Sequence, residues 1–163
     1  MSPRVILVAP PGVDVDAIAD ELGRMLDLPV RSTDRDVEER AAATVAEIFV
    51  EKGESTFREL ERQAVVTALD EHDGVLVLGG GAVMDPLTEA DLAGERVVFL
   101  DVSISQAART LGFTGPTTVI NPRAQWLRMM ETRRPVYERV ADVVVTVDGK
   151  APSEVVEEIL AAL

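Results

Sequence analysis

The residues of this chain that could do chemistry gather in short segments, several of them directly after an apolar run. The first is Ala9-Pro10-Pro11-Gly12-Val13-Asp14-Val15-Asp16. A loop that cradles phosphates reads G-x-x-x-x-G-K-[ST]: its amides and the following helix N-terminus hold the phosphates, its lysine reaches the terminal ones, and its hydroxyl ligates magnesium. Ala9, Asp14, Val15 and Asp16 stand at those four places here, with Gly12 and Val13 between them. A helix N-terminus favours a carboxylate by about 0.3–1 kcal/mol. Asp14 and Asp16 therefore predict a self-capped strand-helix turn whose own acids fill the anion site.

The other segments carry a different chemistry. Thr33-Asp34 places a carboxylate directly after the second apolar run. Phe57-Arg58 is followed three positions later by Glu61, on the same face of a helix, so the acid would orient the guanidinium. Gly79-Gly80-Gly81 opens a path without side chains, and Arg133-Arg134-Pro135-Val136-Tyr137 brings further guanidiniums. The planar guanidinium fork suits bidentate, charge-assisted binding of a carboxylate. No His/Asp/Glu set has metal-ligand spacing, so no metal site is expected. His72 reads as a solvated helix-end residue and Trp126 as packing.

The elements that must position these groups follow from hydrophobic periodicity. Val5–Val8, Val75–Leu78 and Val97–Asp101 are short apolar runs suited to strands buried on both faces. Pro29–Ser32 and Val143–Val147 add two more. Helical spacing from Asp14 to Leu26, a charged helix after Thr33, a helix over Val45–Phe49, punctuation at Gly53, and helices over Thr56–Leu69, Arg123–Arg139 and Pro152–Leu163 lie between or beyond them. This alternation predicts a three-layer α/β/α fold around a parallel sheet, with ligands beyond the carboxyl ends of the strands. Residues 112–122, rich in Gly, Thr and Pro, predict a mobile excursion, and a short lid is expected over about 109–122.

With 163 residues, 47% of them hydrophobic, the chain closes one core, and a single domain over 1–163 is expected. A formal net charge of −13 excludes unaided binding of nucleic acid or acidic membranes. The chain has no cysteine, which removes disulfides, thiol catalysis and thiolate metal sites. The N-terminal apolar run is too short for a signal or membrane segment, so a cytoplasmic location is expected.

Taken in order, Thr33-Asp34, Ile48-Phe49 before Gly53-Glu54, Phe57-Arg58, Gly79-Gly80-Gly81 and the Arg-x-Pro-x-Tyr segment resemble the shikimate kinase family over nearly the whole chain. The resemblance implies a P-loop-kinase fold and a shikimate pocket. Arg58 and Arg133 would clamp the carboxylate, and Asp34 would accept from the hydroxyl that a kinase phosphorylates. Gly79, Gly80 and Gly81 would approach the ring, and Glu61 would orient Arg58. Phe49 and Phe57 would wall the pocket or belong to the core.

The departures from the family fall on the nucleotide side. Besides the loop, Ser32 stands where the family commonly has an aspartate near magnesium, and the lid stretch Thr114-Gly115-Pro116-Thr117 lacks an arginine before its proline. Whether Arg109 matches the family's adenine-stacking arginine is ambiguous by one residue. The expectation is a protein that binds shikimate or a similar small hydroxy acid with little or no kinase activity, as a regulator or partner subunit in the shikimate pathway, and without a cofactor. The alternative is an active kinase that uses ATP and magnesium to phosphorylate the shikimate 3-hydroxyl.

Overall fold

The computed structural model describes residues 2–113 and 121–163. Half of the lid expected over 109–122, residues 114–120, therefore lies outside the described residues. Five strands form one parallel sheet in the order β2-β3-β1-β4-β5: β1 (Val5–Val8), β2 (Val30–Ser32), β3 (Val75–Val77), β4 (Val97–Asp101) and β5 (Val143–Thr146). Every residue of β1 and β3 is buried, as an apolar run covered on both faces requires, whereas the edge strand β5 alternates.

The helices α1 (Val15–Leu26), α2 (Thr33–Ala41), α3 (Val45–Glu71), α4 (Pro86–Asp91), α5 (Ile104–Leu111), α6 (Pro122–Val140) and α7 (Pro152–Ala162) cover the sheet. The main core joins the strands to Ile18 and Leu22 of α1, Tyr137 of α6 and Ile159 of α7. A second, smaller cluster, Val37, Ile48, Phe57 and Ala64, lies between α2 and α3. It fixes these two helices to each other, independently of the sheet's own packing.

Three differences from the sequence reading have local causes. The two helices read on either side of Gly53 run together as α3, with a break at Gly53 where φ is 86° and ψ is 166°. Glycine reaches that conformation without a Cβ penalty, so one residue suffices to turn the chain. The short α4, capped by Asp85 with Pro86 at its first position, was not read from the sequence, nor was α5, capped by Ser103. Finally, His72 is buried, and its Nε2 lies 2.9 Å from the Val75 carbonyl. It ties the end of α3 to the start of β3 rather than facing solvent.

No helix among the described residues is long and apolar enough to cross a membrane.

Candidate functional site

The carboxyl ends of β1, β2 and β3 open onto one face, and the turn of Gly79, Gly80 and Gly81 lies at its centre. Thr33, the first residue of α2, is fully buried, and its Oγ1 accepts the Gly79 N–H at 3.0 Å. The Gly79 carbonyl accepts from Ala82 N–H and the Gly81 carbonyl from Met84 N–H, closing the 3₁₀ turn Ala82–Met84. The turn is thus pinned on one side by β2–α2 and on the other by its own backbone.

Charged groups converge on it in opposite pairs. A Cβ at Gly79 would lie 2.5 Å from Oδ1 of Asp34 and 3.0 Å from Oε2 of Glu61. One at Gly81 would lie 2.7 Å from both Nη1 and Nη2 of Arg58 and 3.0 Å from Nη2 of Arg133. Two carboxylates therefore crowd the first glycine and two guanidiniums the third, and any side chain at either position would displace them. Arg58 Nη1 donates to Glu61 Oε1 at 2.7 Å, and Glu61 is itself only 4% exposed. The Arg58 guanidinium also stands over Phe57 and Phe49, 5.3 and 6.0 Å from the ring centroids. Phe57 is buried in the cluster between α2 and α3, and Phe49 packs against its edge. Both rings thus belong to that small core and, through Arg58, to the site. Beside Arg58, between Glu61, Gly81 and Met84, a cavity of about 240 Å³ opens.

Burial pushes the Asp34 carboxyl above its ordinary range; the nearby Glu38 carboxylate adds to this, Arg58 pulls back, and Asp16 raises it again. Burial likewise raises Glu61, against the hydrogen bond and charge of Arg58. A carboxyl raised on folding stays protonated in the folded chain at a pH where the unfolded chain has released its proton. Stability is then lost as pH rises from the ordinary value, 3.8 for Asp34, through the raised one. Asp34→Asn removes this term, so its melting temperature should climb relative to the wild type between pH 3 and pH 7. A difference that stays flat across that range in thermal denaturation would show that Asp34 is not perturbed.

The first loop has a different character. Asp14 caps α1, its side chain accepting the Ala17 N–H at 3.3 Å, and Asp16 follows in the first turn. Asp16 Oδ2 lies 3.2 Å from Nη2 of Arg35 on α2, and the Ser32 hydroxyl caps the same helix by accepting the Arg35 N–H. The two acids and Ser32 are thus engaged with the protein's own helix ends and with Arg35. Gly12 adopts φ +104°, and a Cβ there would meet Ala107 Cβ at 2.6 Å. Trp126 Nε1 donates to the Pro11 carbonyl at 2.8 Å, holding the loop down from the α6 side. Val13 and Val15 pack against the core. A separate cavity of about 340 Å³ lies between Gly12, Asp14, Gln106, Thr110 and Lys150. The Lys150 ammonium is committed to Glu158 at 2.7 Å and to the Thr146 carbonyl.

Sequence reasoning named Thr33 with Asp34 but gave it no contact, since its partner is a glycine amide 46 positions away. It also missed the pairing of Asp16 with Arg35 and gave Tyr137 no task. Among the described residues no group of three His, Cys, Asp or Glu side chains could hold a metal ion.

The family model described as shikimate kinase matches residues 16–163, a span that contains the whole charged site and begins after Val15. A shikimate kinase of Streptomyces avermitilis is 45% identical over 163 residues, covering 99% of this chain and 95% of its own. Among solved structures, a shikimate kinase from Bacteroides thetaiotaomicron superposes with a TM-score of 0.87 at 25% identity, covering 100% of both chains. A shikimate kinase from Acinetobacter baumannii in complex with shikimate has a TM-score of 0.86 at 24% identity, covering 98% of this chain and 91% of its own.

Proposed function

The chain belongs to the shikimate kinase family, and from that premise we propose that it binds shikimate or a closely similar hydroxy acid at the glycine turn while transferring phosphate from ATP poorly or not at all. The observation that carries the acid-binding half is the convergence of Arg58 and Arg133 on Gly81, opposite Asp34 and Glu61 at Gly79. One end of this site suits a carboxylate through paired guanidiniums, and the other suits ring hydroxyls through carboxylate acceptors. The A. baumannii relative bound to shikimate supports the choice of ligand through its fold.

The nucleotide half rests on fit. ATP with magnesium is the phosphate donor the family implies, and the residues of the first loop do not suit it. The Asp14 side chain takes a helix-terminal amide that a phosphate would need, and Asp16 and Ser32 are turned onto α2. Val15 offers no charge where a lysine would reach a phosphate. Phosphoryl transfer is catalysed largely by positioning and by stabilising developing charge, so a loop that lacks its cation and adds two carboxylates works against it.

The second reading is an active shikimate kinase, and the names of the relatives favour it: the S. avermitilis protein is a shikimate kinase aligned over 99% of this chain. In that case Asp34 would serve as base or orienting group for the shikimate hydroxyl, and a cation from elsewhere would replace the lysine. Under the first reading the protein would act as a regulator or partner subunit in the shikimate pathway, in the cytoplasm and as one domain.

A calorimetric titration with shikimate, another with ATP and magnesium, and a coupled kinase assay separate the two. We expect binding of shikimate, no measurable heat with ATP, and no turnover. Turnover with ATP at the rate of a working family member would establish the second reading, and absence of shikimate binding would defeat both.

A further inference from the structure

Tyr137 is the largest fully buried side chain, and the reading above gives it no task. Its ring packs on Phe99 of β4, with centroids 4.9 Å apart, and its hydroxyl donates to the Gly80 carbonyl at 2.5 Å. One helical turn earlier on α6 stands Arg133, placed by the i, i+4 spacing on the same face. A Cβ at Gly80 would lie 3.3 Å from Arg133 Nη1 and 3.8 Å from Tyr137 Oη, so the guanidinium and the hydroxyl are neighbours over the same glycine. Burial raises the pKa of the Tyr137 hydroxyl, and the charge of the neighbouring Arg133 pulls it back.

The Gly80 carbonyl shares a planar trans peptide with the Gly81 N–H, and in such a unit the two bonds point in opposite directions. Holding the carbonyl against Tyr137 therefore fixes where the Gly81 N–H points: away from α6. The Arg58 and Arg133 guanidiniums stand against the same residue, within 3.0 Å of the position a Cβ at Gly81 would take. Among the described residues the N–H groups of Gly80 and Gly81 donate to no protein acceptor, whereas the Gly79 N–H is held by Thr33 and the Gly79 and Gly81 carbonyls by the 3₁₀ turn. A peptide between two glycines meets little steric resistance to rotation, since neither side carries a Cβ. Turned over, it would present a carbonyl oxygen to an incoming carboxylate in place of an N–H.

We propose that Tyr137 is a positioning residue that locks the Gly80–Gly81 peptide and steadies Arg133, so that the Gly81 N–H and two guanidiniums form a preset receptor for the ligand's carboxylate. The inference rests on the acid-binding reading given above and adds the group that prepares the pocket. It makes a selective demand. The receptor serves the carboxylate end alone, so loss of the lock weakens a charged acid and spares its uncharged ester.

The test is Tyr137→Phe, which removes the hydroxyl and keeps the ring against Phe99, titrated with shikimate and with methyl shikimate. An unpartnered buried carbonyl and a freed peptide should cost about tenfold or more in shikimate affinity. The ester's affinity should change by less than about twofold, since no hydrogen bond of its own is lost. Equal weakening of both ligands would mean that Tyr137 merely supports the fold, and unchanged shikimate affinity would overturn the lock. A second measurement needs no substitution: in the wild-type protein with labelled glycines, the Gly81 amide resonance should move on addition of shikimate and stay in place with the ester. A Gly81 amide that ignores shikimate would reject the proposal even if Tyr137→Phe failed to fold. If the wild-type protein bound no shikimate, the acid-binding reading would fall first and this inference with it, an outcome distinct from intact binding that is indifferent to Tyr137.

Discussion

Arg58→Ala should lower shikimate affinity by about two orders of magnitude, because charge-assisted hydrogen bonds contribute about 1.5–3 kcal/mol each and a guanidinium can offer two to one carboxylate. The loss has a second source inside the protein. Glu61 is buried and bonded to Arg58 at 2.7 Å. Removing the cation leaves a carboxyl whose burial already favours the protonated form, with its main counterweight gone. Glu61 should then hold its proton at higher pH and cease to act as a fixed charge beside Gly79. Arg58→Lys separates the two effects: it keeps a positive charge for Glu61 but cannot form the planar fork, so it should recover stability more fully than affinity. Calorimetry on the three proteins at one pH checks this. Unchanged affinity in Arg58→Ala would mean that the acid binds elsewhere, and the convergence at Gly81 would lose its meaning.

How far such a site can be read from sequence is shown by which residues were visible and which were not. The strands at Val5–Val8 and Val97–Asp101 announce themselves because a strand buried on both faces needs no alternation, only β-branched and apolar residues in a row. Arg58 and Glu61 could be paired from spacing alone, since three positions on a helix bring side chains together. Thr33 and Tyr137 could not. Each makes its contact with a backbone atom of the glycine turn, 46 and 57 positions away, and a hydrogen bond to a backbone amide or carbonyl leaves no mark in the partner's residue type. His72 was misread for a related reason. A histidine at a helix end is solvated by default, and only the return of β3 beneath it buries the ring and supplies the Val75 carbonyl.

The same limit applies to the first loop, where the sequence shows which groups are missing and the structure shows what the replacements do. Asp16 is tied to Arg35 at 3.2 Å, and both side chains are more than half exposed. An exposed ion pair is worth at most about 1 kcal/mol, so the pair does not lock the loop shut; its importance is that it places a carboxylate where a hydroxyl would serve a metal. Asp14 is the helix cap, and glycine at a cap costs only a few tenths of a kcal/mol relative to aspartate. Asp14→Gly, Val15→Lys and Asp16→Ser made together should therefore leave the fold intact while shifting the local charge by three units toward positive.

Because nearby unit charges interact by several kcal/mol at the effective dielectric of a protein surface, this change should raise ATP affinity by about 100-fold or more. Turnover should recover much less than binding, since Ser32 and the arginine-free stretch Thr114–Thr117 are left as they are. Adding Ser32→Asp to the triple variant should then raise turnover without a comparable gain in ATP affinity, because a carboxylate there would act through the metal and adds repulsion toward free phosphates. ATP binding by the wild-type protein equal to that of the triple variant would show that the loop's acids do not oppose the nucleotide, and the case for a disabled donor site would fail. Binding that appears only in the variant would locate the loss in three residues and leave the acid-binding side as it was.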